Sequence, residues 1–278
     1  MPDLVDHLIE QAHNLTPLPA SAIRLAALAS SNEVGLDEIA EVVAYDQALT
    51  MRLLRAANSA STGGGARCSR VQEAVFRLGT ARVLALTVAS GAASLLKCEA
   101  SAYGLAEGQL WKHSIATAAA AETLSEFAEQ ELPLETFTAA LLHDVGKLVM
   151  GRFLSTENLE RIQRVQTDGG LTPLAAEREI LNVHHGELGG VVAQHWELPQ
   201  RIVEGIIYHH NPADGFALIC DAVYLANIVA KHVEGAASPP VPAQPSLERV
   251  GLSADQMDQL IAATRSRFES VSARYNAS

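Results

Sequence analysis

The chain has 278 residues, with 20 Lys and Arg against 32 Asp and Glu, a formal net charge of −12. An acidic balance of this size excludes broad electrostatic binding to DNA or RNA, which needs a basic footprint, so no direct nucleic-acid partner is expected. Aromatics are only 5% of residues, Ala, Leu, Glu and Arg dominate, and alternating β-branched runs are scarce, so the composition predicts an all-α protein.

The N-terminus, Met1-Pro2-Asp3-Leu4-Val5-Asp6-His7, is acidic and lacks the basic-then-apolar order of a secretory signal. Pro17 and Pro19 precede a helix over 20–29, whose apolar stripe is read as Ile23, Ala26, Ala27 and Leu28. Gly35 opens the next helix, which runs through Val43. Asp46 is then placed to cap a helix in which Leu49, Leu53, Leu54 and Ala57 recur at three and four residues. Asn58 to Gly65, with three consecutive glycines, ends it; a helix over 71–78 stops at Gly79, and another runs on from Thr80. The apolar stretch Val83 to Leu96 is interrupted by Thr87, Ser90, Gly91 and Ser94. It is too short for the roughly 20 residues of a membrane span, and a soluble, cytoplasmic protein without a membrane partner is expected. Cys68, Cys98 and Cys220 are isolated and lack CxxC spacing, which predicts buried thiols rather than disulfides or a thiolate metal site.

A second helical set begins near Glu107. Pro133 sits where a first helical turn tolerates proline, and Phe137, Ala140, Leu141, Val145 and Leu148 predict a buried helix around His143 and Asp144. Helices over 186–196, 199–209 and 217–233 follow. The stretch Gly235 to Ser246, with four prolines, reads as a linker or long loop, and an amphipathic helix over about 253–272 packs back on the body. The expected organisation is two helical lobes, over 1–105 and 106–234, then a Pro-rich linker or loop over 235–252 and a C-terminal helix over 253–278.

His143 and Asp144 occupy positions where a core would take Leu or Ala. Burying an unpaired carboxylate costs several kcal/mol or more, and a divalent cation satisfies imidazole and carboxylate together. Other imidazoles are available at His113, at the pair His184-His185 and at the pair His209-His210. Ligands separated by tens of residues, each on its own helix, fit a site assembled inside a bundle rather than a zinc finger. A lone histidine on an apolar face is more often a satisfied core residue, so His7, His13, His195 and His232 stay outside the site. His184 is read as a neighbour of the site or an exposed side chain, not a ligand. Glu187 is read as a solvated charge, with orientation of a histidine as the alternative. For Lys147, complementing a helix end competes with contacting phosphate.

Several strings carry a family resemblance: Leu15-Thr16-Pro17-Leu18-Pro19, Tyr45-Asp46-Gln47-Ala48-Leu49-Thr50, Leu53-Leu54-Arg55-Ala56-Ala57-Asn58-Ser59-Ala60 and Ala74-Val75-Phe76-Arg77-Leu78-Gly79. Together they resemble the HDOD family of bacterial signalling proteins, related to HD and HD-GYP phosphohydrolases, over about Leu15 to Lys231. The resemblance implies an all-α fold of two lobes, the C-terminal one an HD-like bundle, and a role in signal transduction. It implies His113 as the first ligand, His143 and Asp144 as the HD pair, Lys147 as the lysine of HDxGK, His185 as the next ligand and His209-His210 as the HH pair.

In Leu225-Ala226-Asn227-Ile228-Val229-Ala230, Asn227 stands where the superfamily has its last Asp. Asp221, the alternative, lies six residues earlier, about 600° around a helix, so the two project from different faces. Asn227 is taken to face the site, where a neutral amide oxygen holds an ion less tightly than a carboxylate. The HD-GYP string is only partly echoed by His209-His210-Asn211-Pro212-Ala213-Asp214-Gly215-Phe216, and the missing Tyr-Pro weakens the case for cyclic-dinucleotide hydrolysis.

The implied cofactor is one or two divalent transition-metal ions, iron, manganese or zinc. Asp144 would bridge them, His113 and His143 serving one and His185, His209 and His210 the other. Two functions follow as expectations. One is a signalling module that binds a nucleotide or a protein partner. The other is a metal-dependent phosphohydrolase in which Asp144 and Lys147 are catalytic, water being acidified by metal and the phosphoryl oxygens held by Lys147.

Overall fold

The computed structural model describes residues 4–30, 35–58, 68–97, 106–236 and 239–276. The three glycines at 63–65 and Cys98 lie outside them. The described residues contain helices and connections but no strand, as the composition predicts. The first helices are α1 (Leu4–His13), α2 (Ala20–Ala29), α3 (Leu36–Ala44), α4 (Gln47–Ala57), α5 (Val71–Leu78) and α6 (Thr80–Leu96). From residue 109 come α7 (Gln109–Phe127), α8 (Thr136–Leu142), α9 (Gly146–Phe153), α10 (Thr156–Thr167), α11 (Pro173–Leu181) and α12 (His185–His195). The chain continues through α13 (Gln200–Ile207), α14 (Pro212–Gly215), α15 (Leu218–Val233), α16 (Gln244–Val250) and α17 (Met257–Asn276).

Asp46 caps α4: its carboxylate accepts the Leu49 N–H at 2.9 Å and the Ser21 hydroxyl at 2.8 Å, which ties α4 to α2. The Leu49 bond is the main reason its carboxyl stays below the usual range. At Gly79, φ is 77°, a conformation that glycine adopts without steric cost, and the axes of α5 and α6 diverge there by 107°. The α2 stripe differs from the sequence reading. Ala22, Leu25, Ala26 and Ala29 are buried, while Ala27 is exposed and Ile23 and Leu28 are half-buried. Helix α6 approaches the start of α2 closely, since a Cβ on Gly91 would fall 2.6 Å from the Pro19 ring.

Helix α1 packs on α9 and α12, so the first described residues join the later helices rather than α2–α6. The Pro-rich stretch is not all linker. Pro245 sits in the first turn of α16, and Arg249 of that helix makes two bonds to the Asp221 carboxylate, at 2.7 and 2.6 Å. Helix α17 lies on α7 and α15 with Leu260, Thr264 and Phe268 buried. Cys68 and Cys220 are buried free thiols. No single described helix is long and apolar enough to cross a membrane.

Candidate metal centre

Rather than lying inside one helix, His143 and Asp144 form the break between α8 and α9. There the chain tightens to i→i+3 bonds: Val145 N–H to Leu142 O at 2.9 Å and Lys147 N–H to Asp144 O at 2.9 Å. Pro133 precedes α8, its carbonyl accepting the Thr136 N–H at 3.0 Å. The break brings α9 against α12. A Cβ at Gly146 would collide with the His185 carbonyl oxygen, and one at Gly189 would fall 2.8 Å from Ile206 Cγ2. Two glycines thus let α12 deliver His185 to Asp144.

Asp144, 1% exposed, stands at the centre. Its Oδ1 lies 3.3 Å from His185 Nε2 and 3.7 Å from His209 Nε2. Its Oδ2 lies 3.3 Å from His143 Nε2, 3.7 Å from His113 Nε2 and 2.6 Å from Lys147 Nζ. His210 Nε2 is 2.9 Å from His185 Nε2. Two groups therefore share Asp144, one with His185, His209 and His210 and one with His113 and His143. Within each, one ligand atom per residue lies within 4.8 Å of the others.

The far side of each ring decides how it is protonated. The Nδ1 atoms face Glu234 from His113 (2.7 Å), the Ala140 carbonyl from His143 (2.8 Å), Glu177 from His185 (2.7 Å) and the Ile206 carbonyl from His209 (2.7 Å). Carbonyl and carboxylate oxygens only accept, so each Nδ1 carries a hydrogen, and wherever such a ring is neutral it turns an Nε2 lone pair toward the Asp144 carboxylate. Lone pairs facing an anion repel unless a cation lies between them. Among the described residues, His143 Nε2, His209 Nε2, Asp144 Oδ1 and Asn227 Oδ1 are buried without a hydrogen-bond partner, an arrangement that a core of satisfied polar groups avoids. The donor set can hold a metal ion, and imidazole with carboxylate suits the divalent transition metals.

Helix α15 carries Asn227, Lys231 and then Glu234 at its end, at i, i+4 and i+7, on one face. Glu234 meets His113 and the Lys231 charge acts on Asp144, so this face turns toward the cluster. Asp221 is occupied elsewhere by Arg249. His184 is the N-cap of α12, its Nδ1 accepting the Gly186 N–H at 3.1 Å. Glu187 completes that cap through the His184 N–H at 3.0 Å and pairs with Arg178 at 3.0 Å. His13 and His195 contact one another, ring centroids 5.2 Å apart, and neither belongs to the two groups.

Sequence reasoning missed Glu177, Lys231 and Glu234. Glu177 is fully buried and accepts both the His185 N–H at 2.8 Å and its ring. A signal existed, since Glu177 lies one turn before the buried Leu181 on the apolar face of α11, an expensive place for an unpaired carboxylate.

The HDOD domain family profile matches residues 15–212. The chain belongs to the HDOD family. An uncharacterised protein of Treponema pallidum (strain Nichols) is 26% identical over 238 residues, 84% of this HDOD chain, which spans 45% of that relative's length. The fold is shared with an HDOD domain protein of unknown function from Geobacter sulfurreducens, at 22% identity and a TM-score of 0.71, covering 95% of this chain and 98% of that one. It is also shared with a protein from Shewanella amazonensis SB2B, provisionally named a phosphohydrolase, at 20% identity and a TM-score of 0.68, covering 94% and 96%.

Burial sets the charge states of this HDOD cluster. It holds His209 well below its ordinary 6.5, with His210 reinforcing the effect, and it lowers His210 to about 2 and His143 below 6.5. Burial also opposes ionised Asp144, but its interactions with His143, Lys147 and His185 outweigh it and keep the carboxyl well below 3.8. His185 is likewise opposed by burial, yet its two carboxylate neighbours raise it.

A pH dependence follows for the metal-free protein. Below 6.5 the unfolded chain protonates His209 and His210 while the folded chain does not, so stability is lost as pH falls. Between pH 7.5 and 5.5 this amounts to roughly 1 kcal/mol for each suppressed histidine. His185 acts oppositely, its contribution being present below 6.5 and lost as pH rises through its raised value, so it offsets one of them. The metal-free Tm is expected to be lower at pH 5.5 than at 7.5 by about 2–3 °C; a Tm that holds or rises on acidification contradicts these charge states.

Proposed function

We propose that this chain is a signal-transduction module of HDOD type that holds two divalent transition-metal ions through Asp144 and binds a nucleotide or a protein partner. The observation that carries the metal reading is the set of four tethered imidazoles whose Nε2 atoms converge on one buried carboxylate. His113 and His143 would hold one ion, with Asn227 beside them, and His185, His209 and His210 the other. Glu177, Glu234 and the two backbone carbonyls fix the rings before any ion arrives, which keeps the cost of ordering the site low.

Because Asn227 offers a neutral oxygen, the ion beside His113 is held more weakly. A metal titration of the metal-free protein by calorimetry should resolve a tight and a weaker event. Asn227→Asp should tighten the weaker one about tenfold or more; an unchanged weaker event would remove Asn227 from the site.

Lys147 favours a second reading, phosphoester hydrolysis. Its ammonium is 2.6 Å from Asp144 Oδ2 and its side chain is 21% exposed, at a side of the cluster that reaches solvent along with His113 and Glu234. Bound ions would supply Lewis-acid chemistry, acidifying water and neutralising phosphoryl charge. The protein would contribute Asp144 to fix the ions, Lys147 and Lys231 to attract an anionic substrate, and the buried rings to limit water access.

Metal-loaded wild type and Asp144→Ala decide between the readings, assayed for product from bis(p-nitrophenyl) phosphate and from cyclic dinucleotides. Turnover by wild type alone supports hydrolysis. Equal or absent turnover leaves the signalling module, and a nucleotide that copurifies unaltered supports binding.

A further inference from the structure

Remote from the cluster, an open cleft of about 720 Å³ lies between the α2 and α6 side of the protein and the starts of α8, α13 and α15. These three helices lead away from the cleft: His143-Asp144 and His209-His210 follow the ends of α8 and α13, and Asn227 lies midway along α15. None of the cluster residues lines it.

Its walls pair two opposite demands. Glu135, at the start of α8, lines the cleft, is 2% exposed, and its Oε1 is buried with no hydrogen-bond partner among the described residues. A carboxylate held this way calls for a donor or a positive charge. Against it stand the exposed guanidinium of Arg201, in the first turn of α13, and the N-terminus of the long helix α15. That terminus is capped by Ala217, with no side-chain hydrogen bond, so the N–H groups of its first turn have no capping side chain.

We propose that this cleft binds a small zwitterion of the amino-acid type, a free α-amino acid or a dipeptide. The ammonium sits on Glu135, the carboxylate on Arg201 and the first turn of α15, and the side chain in the remaining space beside Leu132 and Leu134. A cleft of this volume is of ligand size. The proposal is independent of the metal reading and stands or falls without it.

The test is calorimetry and thermal shift on the full chain with the twenty α-amino acids and a set of dipeptides, each beside its N-acetylated counterpart. At least one probe should bind and raise the Tm, and its acetylated form should not. Glu135→Gln should weaken that probe at least about tenfold while keeping the ligand-free Tm at or above wild type, because it removes an unpartnered buried charge. Arg201→Ala, at an exposed position, should weaken it comparably and decides the matter if the Glu135 variant fails to fold. No binding by any probe at about 10 mM overturns the proposal, as does equal binding of the acetylated form or equal binding by both variants.

Discussion

Asp144→Asn is expected to reduce the metal content of the purified, reconstituted protein from about two equivalents to near none, with affinity for both ions down more than roughly a hundredfold. Both ligand groups pass through this carboxylate: His185 and His209 face Oδ1, and His113 and His143 face Oδ2. The amide removes the shared negative charge and turns an N–H toward two of the Nε2 lone pairs, satisfying them as hydrogen-bond acceptors. The metal-free variant should therefore stay folded. Its Tm should lie within a few degrees of metal-free wild type, because the lost Lys147 ion pair is offset by removal of a buried charge. Elemental analysis with circular dichroism reads both effects, and wild-type metal content in the folded variant would contradict a bridging role.

Glu177 should show a split that a merely structural residue would not. Glu177→Gln keeps an oxygen at the position that accepts both the His185 N–H and its Nδ1–H, but it removes the charge and sets an NH2 donor where the second oxygen stood, 3.0 Å from the same Nδ1. That donor opposes the Nδ1–H, so the ring is tethered less firmly and its proton is held less strictly away from Nε2. Metal affinity at the His185 side should fall about 10–100-fold with little change in stability. Glu177→Leu also leaves a buried backbone N–H unsatisfied and should cost a further 1–3 kcal/mol or so. Calorimetric titration beside thermal melts separates the two; if both variants bind metal like wild type, His185 is not oriented by Glu177.

Local signals were legible where they act locally. The Asp46 cap and the glycine stop at Gly79 appear in the structure at the residues that carry them, and the helix over 20–29 has the expected bounds. The break at His143-Asp144 was hidden, because Phe137, Ala140, Leu141, Val145 and Leu148 keep a helical period across it. The contact of Gly146 with the His185 backbone accompanies the break, and that is tertiary information. The same is true of α1, whose place on α9 and α12 no local pattern specifies, and of α16, where Pro245 reads as a linker residue until its position in a first turn is seen.

In the cluster, residue types and spacing singled out the imidazoles and Asp144, and the structure brings His113, His143, Asp144, His185, His209 and His210 together. What orients them was barely legible, the place of Glu177 on an apolar helix face being the one local signal. Glu177 lies among other acidic residues, separated from Glu179 only by the face it occupies, and Glu234 is a charge just beyond a helix end. Both matter through contacts to rings on other helices, at sequence separations of 8 and 121 residues.

Anomalous diffraction from crystals of the protein reconstituted with manganese or zinc tests the central claim most directly. The account predicts two peaks flanking Asp144, one about 2.0–2.3 Å from His143 Nε2 and one at a like distance from His185 and His209 Nε2. Crystals with no peak at Asp144, or with metal bound only at surface residues while those three rings keep their present positions, would contradict it.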